Sequence, residues 1–471
     1  MTRMQRSLLR LLLPAVCAVP VLPLHAADLR VAAVFTEHMV LQRGTPVPVW
    51  GSADAGKRVL VEFAGQKKVA AADAAGRWSV QLDPLAASAD GNELVVSAEG
   101  HTPLRLGDIL VGEVWVCGGQ SNMERQLGPR PPQPPLLNWE QEAAGANFPQ
   151  IRHFEVAHKV LPPTGGDVSG KWVVCSPQSV VGFTAVGYFF GRELHQELGV
   201  PIGLLHSSWG GTGVATWTSP EALESTEELR EKTSEKLEAL GGKSGPAKPS
   251  ALFSSMIAPL IPCAIKGAIW LQGESGAGIS VPYDTLFQVM IQDWRRHWGR
   301  GDFPFYFAQL PNGSPVTREA QARALRLPAT GMAVTLDVGY AWDVHGPDKA
   351  PIGKRLARLA LVHDYNKGGE SSGPLFASAE IEEGRIRIQF THVAGGLVAN
   401  DNAPLRYFLV AGEDRKFVAA EARIEGGTVV VSSPAVPRPA AVRYAWVSVA
   451  EGCNLFNSAG IPAAPFRTDS W

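Results

Sequence analysis

Four short segments of this sequence carry groups that could perform acyl transfer, and three of them directly follow an apolar run. Those three are Gly118-Gly119-Gln120-Ser121-Asn122-Met123, Ser207-Ser208-Trp209-Gly210-Gly211-Thr212 and Gln272-Gly273-Glu274-Ser275. The fourth, Asp343-Val344-His345-Gly346-Pro347, joins a carboxylate to an imidazole. A hydroxyl nucleophile, a base with an orienting acid, and N–H donors for an oxyanion are the groups that serine acyl transfer needs.

Each segment alone is weak support, because serines in glycine turns and neighbouring Asp and His residues are common in ordinary loops. A lipase-type Gly-x-Ser-x-Gly elbow would need glycine at position 123, which is Met123. His153 and His158 are off helical register and form no zincin pattern, which disfavours a metal enzyme. We therefore expect no metal and no other cofactor.

The four segments must be brought together by the elements between them. From Asp108 onwards, short apolar runs alternate with amphipathic stretches. They predict helices at 186–198, 286–298 and 352–363 and strands at 109–117, 202–205, 264–271, 305–310 and 332–336. This alternation is typical of a parallel α/β sheet, in which the active site lies beyond the carboxyl ends of the strands.

Shorter strands separated by turn signals lie on both sides of this region, and one of them is predicted at 381–390. The charged stretch at 221–249 is expected to be an exposed helix and linker. The expected organisation is a signal peptide at 1–26, an N-terminal β module at 27–106, a catalytic domain at 107–367 and a C-terminal β module at 368–471. Both β modules are expected to be sandwich-like.

The first 26 residues have the composition of a secretory signal peptide. Arg3, Arg6 and Arg10 stand there without any acidic residue, and the apolar stretch from Leu8 to Leu24 contains three prolines. Prolines and a short apolar span suit a membrane-spanning helix poorly. We expect export to the periplasm or beyond, with no membrane insertion after the signal is removed.

Charge and cysteine content exclude several classes of partner and scaffold. Without the three N-terminal arginines, 40 of the 43 Lys and Arg residues remain against 45 Asp and Glu, and no basic run is present. Nucleic acid is therefore not an expected partner. The four cysteines after residue 26 follow no C-x-x-C spacing and are expected to be free thiols.

Taken together, the motifs resemble those of the sialate O-acetylesterase family of SGNH-type hydrolases. The matching segments, in this order, are Gly119-Gln120-Ser121-Asn122-Met123, Gly210-Gly211-Thr212, Gln272-Gly273-Glu274-Ser275 and Asp343-Val344-His345. Segments 35–43, 318–321, 412–414 and 465–469 look like flanking signatures of that family, so the resemblance covers essentially the mature chain. It implies an SGNH-like three-layer α/β/α domain between the two β modules, and a carbohydrate O-acetylesterase acting on an O-acetylated sugar or glycan.

The resemblance also implies roles for individual residues. Ser121 would be the nucleophile and His345 the base. The oxyanion hole would consist of the N–H of Ser121, a backbone N–H at Gly211 and the side chain of Gln272. Asn122 and Glu274 are expected to contact the substrate. Two positions depart from the family pattern: Gly276 stands where Asn is frequent, and Gly346 where Pro is common.

The acid that orients His345 has two candidates. Asp343 lies two residues before the histidine, and its carboxylate could fold back to the far imidazole nitrogen. Alternatively, Asp343 only caps the loop, and either Asp337, at the end of the preceding predicted strand, or a backbone carbonyl orients the ring.

Three other functions fit part of the pattern. The same site could serve an acetyl xylan or hemicellulose esterase, or a broad short-chain esterase. Two β modules and 13 Trp residues would also suit a non-catalytic carbohydrate-binding protein. The intact set of Ser121, His345 and Asp343 argues against that last alternative.

Overall fold

The computed structural model describes residues 28–161 and 166–471, and the predicted signal peptide at 1–26 lies outside the described residues. An N-terminal β module comes first, with strands β1 (Arg30–Val31), β2 (Val40–Gln42), β3 (Val47–Ser52), β4 (Arg58–Phe63), β5 (Gln66–Ala71), β6 (Arg77–Leu82) and β7 (Ser88–Ala98). In β6, Trp78, Val80 and Leu82 are buried and alternate with exposed residues. Alternation of this kind is expected for a strand that has one face on a core.

Strand β8 (Leu104–Gly119) connects this module to the central sheet. Its residues 104–111 pair antiparallel with β7, whereas residues 113–119 pair with a parallel strand of the central sheet. The predicted domain boundary between residues 106 and 107 therefore falls inside one continuous strand. Although the pairing with β7 shifts register between Leu106 and Ile109, the same strand pairs with β7 before the shift and with β11 beyond it, so the module and the catalytic region share a sheet.

The central sheet consists of β8 and six further strands. They are β9 (Ile151–Glu155), β10 (Trp172–Val174), β11 (Ile202–Ser208), β12 (Gly267–Leu271), β13 (Phe305–Ala308) and β14 (Thr330–Ala333). The order across the sheet is β10-β9-β11-β8-β12-β13-β14, parallel throughout except for the edge strand β10. Both faces are apolar, as is usual for a parallel sheet that is covered on both sides.

Helices cover the two faces of this sheet. They are α1 (Ser121–Glu124), α2 (Trp139–Ala144), α3 (Ala185–Leu198), α4 (Pro220–Leu223), α5 (Glu227–Leu240), α6 (Tyr283–Trp298), α7 (Pro315–Arg323) and α8 (Ala350–Tyr365). Short 3₁₀ turns occur at Val180–Gly182, Val214–Trp217, Ala258–Leu260, Ala324–Arg326 and Leu336–Val338, and a π-helical turn at Phe253–Ile257.

Alternate residues of β8 show which helices lie on which face. Trp115 belongs to the buried cluster that contains the apolar residues of α3 and α8. Its neighbour Val116 belongs to the other cluster, with Leu286, Met290 and Trp294 of α6. The predicted three-layer α/β/α arrangement is confirmed, and the predicted exposed helix is present as α5, in which only Leu229 is buried.

The C-terminal β module contains ten short strands. They are β15 (Leu375–Glu382), β16 (Arg385–Thr391), β17 (Leu397–Ala399), β18 (Phe408–Ala411), β19 (Val418–Ala419), β20 (Glu421–Glu425), β21 (Thr428–Ser432), β22 (Ala441–Tyr444), β23 (Leu455–Asn457) and β24 (Phe466–Arg467). The single strand predicted at 381–390 is wrong. Glu383 and Gly384 make a turn there, with φ of +72° at Gly384, and the chain reverses from β15 into β16.

Hydrogen bonds from a buried arginine and a half-buried ion pair attach this module to the catalytic region. The fully buried Arg318 of α7 donates to the carbonyls of Val447 and Ser448 at 2.7 and 2.6 Å. Arg467 pairs with Glu319 of the same helix at 3.0 Å. As expected, the four cysteines of the described chain are free thiols. Across residues 28–161 and 166–471, no helix is long and apolar enough to cross a membrane.

Candidate active site

Ser121 lies at the point where the strand order of the sheet reverses. Strand β8 ends at Gly119 between β11 and β12, and α1 begins at Ser121. A Cβ at Gly119, where φ is +141°, would lie 2.1 Å from the carbonyl oxygen of Leu271. Only glycine allows this close approach of two backbones. The motif thus turns the chain sharply out of the sheet, at the position where ligands bind in open α/β folds.

His345 connects Ser121 to Asp343. Its Nε2 is 3.0 Å from Ser121 Oγ, and its Nδ1 is 2.9 Å from Asp343 Oδ1. The same carboxylate oxygen accepts the backbone N–H of His345 at 2.8 Å. This backbone hydrogen bond is the main reason why the pKa of Asp343 is lowered, and the hydrogen bond and charge of the His345 ring and the charge of Lys349 act in the same direction. The carboxylate is therefore ionised and placed to hold one tautomer of the imidazole.

The second candidate orienter is used elsewhere. Both oxygens of Asp337 pair with the guanidinium of Arg355, each at 2.6 Å. A bidentate pair of this type fixes the carboxylate in position. Asp343, rather than Asp337, is the carboxylate that lies against His345.

The loop that carries the histidine, residues 339–347, is held by a residue that sequence reasoning missed. The Asn312 side chain accepts the N–H of Tyr340 at 2.9 Å and donates to the carbonyl of Asp343 at 3.2 Å. Asn312 is itself bridged to Val449 of the C-terminal module. We call residues 339–347 the His loop. Asn312, in the segment after β13, therefore fixes the backbone of the His loop through these hydrogen bonds.

Asn122 lies inside the protein. It is 1% exposed, and its amide group donates to Glu274 at 2.5 Å and to the carbonyl of Val344 at 3.0 Å. Its oxygen accepts from the ammonium of Lys349 at 2.6 Å. We call these four residues the Asn122 network. The network uses both amide hydrogens and the oxygen of Asn122, so in this structure its hydrogen bonds are all within the protein, and its expected contact with the substrate stays a prediction.

Lys349 is the member of this network that the sequence analysis did not identify. Its side chain is buried, and desolvation lowers its pKa to about 8. The negative charge of Glu274 opposes this shift. One oxygen of Glu274 is buried and has no hydrogen-bond partner among the described residues. Glu274 thus acts as a counter-charge for Lys349, and because the residue is partly exposed, its expected contact with the substrate stays a prediction.

Gln272, which was expected to contribute to the oxyanion hole, makes hydrogen bonds within the protein. It is 0% exposed, and its amide group donates to the carbonyls of Thr212 and Gly276 at 3.2 and 3.0 Å. Its oxygen accepts from the hydroxyl of Tyr283 at 2.9 Å. With both amide hydrogens used, Gln272 has none for an oxyanion. It joins the loops after β11 and β12 instead.

The glycine loop after β11 approaches the nucleophile closely. A Cβ at Gly210 would lie 3.1 Å from the Cβ of Ser121, and the N–H of Gly210 donates to Glu124 at 2.6 Å. The next residue, Gly211, is exposed with φ of +75°. Within residues 28–161 and 166–471, neither the N–H of Ser121 nor that of Gly211 has a hydrogen-bond acceptor. Two donors thus remain free beside the serine.

The Asn122 network supports a first prediction. We expect Asn122→Ala to lower the free energy of unfolding by about 3 kcal/mol, because it leaves a buried ammonium without its hydrogen-bond acceptor. The kcat for acetyl esters should also fall, because the carbonyl of Val344 in the His loop loses its hydrogen bond to Asn122 of α1. Thermal and urea unfolding, together with steady-state kinetics, would measure both effects.

A double-variant cycle with Lys349→Met supplies the control. The losses of stability should be less than additive, because both substitutions remove the same hydrogen bond. The folded pKa of Lys349 is below its usual 10.5, so the parent should gain stability as pH rises from about 8 to 10.5, whereas Lys349→Met should not. If Asn122→Ala instead raised KM and left the free energy of unfolding unchanged, Asn122 would be assigned to substrate binding.

Comparison with known proteins gives a consistent result. Residues 111–361 match the family model described as carbohydrate esterase, sialic acid-specific acetylesterase. The chain is 28% identical to the human sialate O-acetylesterase over 93% of this chain and 92% of that protein. For the mouse sialate O-acetylesterase the identity is 27%, over 93% and 94%. A crystal structure of a carbohydrate acetylesterase from Xanthomonas citri superposes with a TM-score of 0.85 at 35% identity, covering 94% of this chain and 100% of that one.

Proposed function

The chain belongs to the sialic acid-specific acetylesterase family of carbohydrate esterases, and on this premise we propose that Ser121, His345 and Asp343 are its catalytic triad. The protein is a sialate O-acetylesterase-like hydrolase that removes O-acetyl groups. The observation that carries the assignment of residues is the chain of hydrogen bonds from Ser121 Oγ through His345 to Asp343, at 3.0 and 2.9 Å.

The geometry supports a two-step acyl transfer. Ser121 Oγ attacks the acetyl carbonyl while His345 Nε2, 3.0 Å away, takes the hydroxyl proton. The imidazolium then gives this proton to the departing sugar oxygen, and an acetyl-serine remains. Water, deprotonated by the same histidine, attacks the acetyl-serine; acetate leaves, and the imidazolium returns the proton to Ser121 Oγ. Asp343 stabilises the imidazolium in both steps through its bond to Nδ1.

For the oxyanion we propose the backbone N–H groups of Ser121 and Gly211. Both are free donors beside the nucleophile, and no other acceptor in the described chain competes for them. Backbone donors are preorganised because they need no side-chain rotation when the charge develops. Gln272 is left out of this assignment because its amide hydrogens are already used.

The substrate class is proposed as an O-acetylated sugar or glycan. Acetylated sialic acid is the first choice, and acetylated xylan or other hemicellulose oligosaccharides are the alternative. A comparison of acetate release from these two substrates would separate them. No role for nucleic acid or for a membrane partner is proposed. Export is proposed from the composition of residues 1–26, with location in the periplasm or outside the cell.

Acyl-chain length provides the next prediction. We expect p-nitrophenyl acetate to be hydrolysed with a kcat/KM at least about tenfold above that of the octanoate ester, because a pocket shaped for acetyl must overpack to admit longer chains. The assay follows release of p-nitrophenol at equal substrate concentrations. A preference for the octanoate would contradict the acetylesterase assignment, and no activity on either ester would favour the non-catalytic carbohydrate-binding alternative.

A further inference from the structure

Trp342 is an exposed tryptophan in the His loop. Its exposed fraction is 86%, above that of the other large apolar side chains exposed in the described chain, of which the next is Ile381 at 62%. Tryptophan is usually among the more buried residues. Across residues 28–161 and 166–471, the indole has no ring, cation or hydrogen-bond partner. Val344, two residues further, is also exposed, at 46%.

The backbone that carries this indole is fixed. Asn312 bonds to Tyr340 and Asp343 on either side of Trp342, and Asn122 bonds to the carbonyl of Val344. An exposed aromatic residue on a fixed loop can bind a ligand without the entropic cost of ordering that loop. A rigid scaffold that presents an exposed loop residue is a common arrangement in binding sites.

Trp342 lies a short stretch of backbone away from the catalytic histidine that we propose. It directly precedes Asp343 and lies three positions before His345. A chain of that length spans at most about 11 Å, which is comparable to the length of a disaccharide. On the glycine loop, Trp209 is already stacked on His158 with ring centroids 4.2 Å apart. Trp342 therefore differs from Trp209 in having its ring faces unoccupied by protein.

We infer that Trp342 is a stacking platform for a pyranose ring of the acetylated saccharide. The inference rests on the proposed function and deepens it, because it names the part of the substrate that this site recognises. A pyranose presents a face of C–H bonds that packs on an aromatic ring, while its hydroxyl groups at the ring edge remain in water. A free indole face next to the site of ester cleavage matches that chemistry. It would fix the sugar while His345 and Ser121 act on the acetyl group.

The test compares a saccharide with an ester that has no ring. The saccharide is either O-acetylated sialic acid or an O-acetylated xylo-oligosaccharide, whichever the parent hydrolyses with the higher kcat/KM, and the second ester is ethyl acetate. We expect Trp342→Ala to raise the KM for the saccharide about fivefold or more, with kcat within about twofold of the parent. Its kcat/KM for ethyl acetate should stay within twofold. Trp342→Phe should retain most of the saccharide affinity, because phenylalanine keeps an aromatic face.

Trp471→Ala is the matched control, since Trp471 is a second exposed tryptophan, 42% exposed, at the end of the C-terminal module. It should leave both substrates unaffected. An unchanged saccharide KM in Trp342→Ala would overturn the inference, and so would an equal loss on both substrates, which would assign Trp342 to loop structure. Hydrolysis of ethyl acetate by the parent tests the proposed esterase separately from Trp342.

Discussion

Replacement of Ser121 by alanine is expected to lower kcat for acetyl esters by roughly 10⁴-fold or more, while the protein stays folded. The reason is that, among residues 28–161 and 166–471, Ser121 Oγ is the hydroxyl that is hydrogen-bonded to His345, at 3.0 Å. Loss of the nucleophile in serine hydrolases removes nearly all of the contribution of the triad. Acetate release at saturating substrate measures the effect, and mass spectrometry should find an active-site sulfonyl fluoride adduct on the parent at Ser121 only.

A second serine and histidine pair provides the matched control. His206 Nε2 is 2.6 Å from Ser208 Oγ, but Ser208 is 3% exposed and the Nδ1 of His206 is buried without a partner among the described residues. Burial keeps the pKa of His206 well below its usual value, and no carboxylate orients the ring. Ser208→Ala should therefore keep kcat within a few fold. An active Ser121→Ala together with an inactive, folded Ser208→Ala would move the nucleophile to Ser208.

Asp343→Asn should lower kcat by at least about a hundredfold with little change in KM. The amide cannot stabilise an imidazolium, and it can present its N–H to Nδ1 and so favour the wrong tautomer of His345. The contact that is altered is the 2.9 Å bond between Asp343 Oδ1 and His345 Nδ1. Steady-state kinetics with p-nitrophenyl acetate, at several pH values, would measure the loss.

The pH dependence of the free energy of unfolding provides a second, independent measurement for Asp343→Asn. The pKa of Asp343 is lowered below its usual 3.8, so its ionised form stabilises the fold above that pH, and the contribution is lost as pH falls through the lower folded value. Asp343→Asn should lack this acid-dependent loss. In contrast, Asp337→Asn breaks a bidentate pair with Arg355 and should cost roughly 1 to 3 kcal/mol of stability with kcat within a few fold. An inactive, folded Asp337→Asn beside an active Asp343→Asn would make Asp337 the orienting acid.

The sequence by itself determined the elements that carry the site. Helices predicted at 186–198, 286–298 and 352–363 correspond to α3, α6 and α8. Their apolar periodicity is a local property and is preserved when the helices pack on the sheet. Strands β9 and β10 were not predicted. Buried Arg152 and His153 interrupt the apolar run of β9, and their burial depends on partners such as Asp108 and Phe183 from other elements.

The location of the motifs at strand ends was also readable from the sequence. Ser121, the glycine loop and the Gln272 segment each follow a short apolar run, and parallel strands bring their carboxyl ends to one edge of the sheet. Asp343 and His345 are two residues apart, so their contact could be expected from spacing alone. That Asp337 pairs with Arg355 of α8, whereas Asp343 contacts His345, could be seen only in the structure.

Only the tertiary structure decided which polar residues near Ser121 face the site and which are internal. Asn122 and Gln272 stand in motifs that suggested contact with substrate or oxyanion, yet their amide groups are used by partners within the protein. Lys349, which donates to Asn122, is 227 residues away from it in the sequence. Asn312 and Asp343, which are also hydrogen-bonded, are 31 residues apart. A hydrogen-bonding side chain can serve either a ligand or a neighbour, and its sequence motif is the same in both cases. Which one it serves depends on how distant segments are brought together by folding, because a buried donor or acceptor must find a partner wherever the fold supplies one.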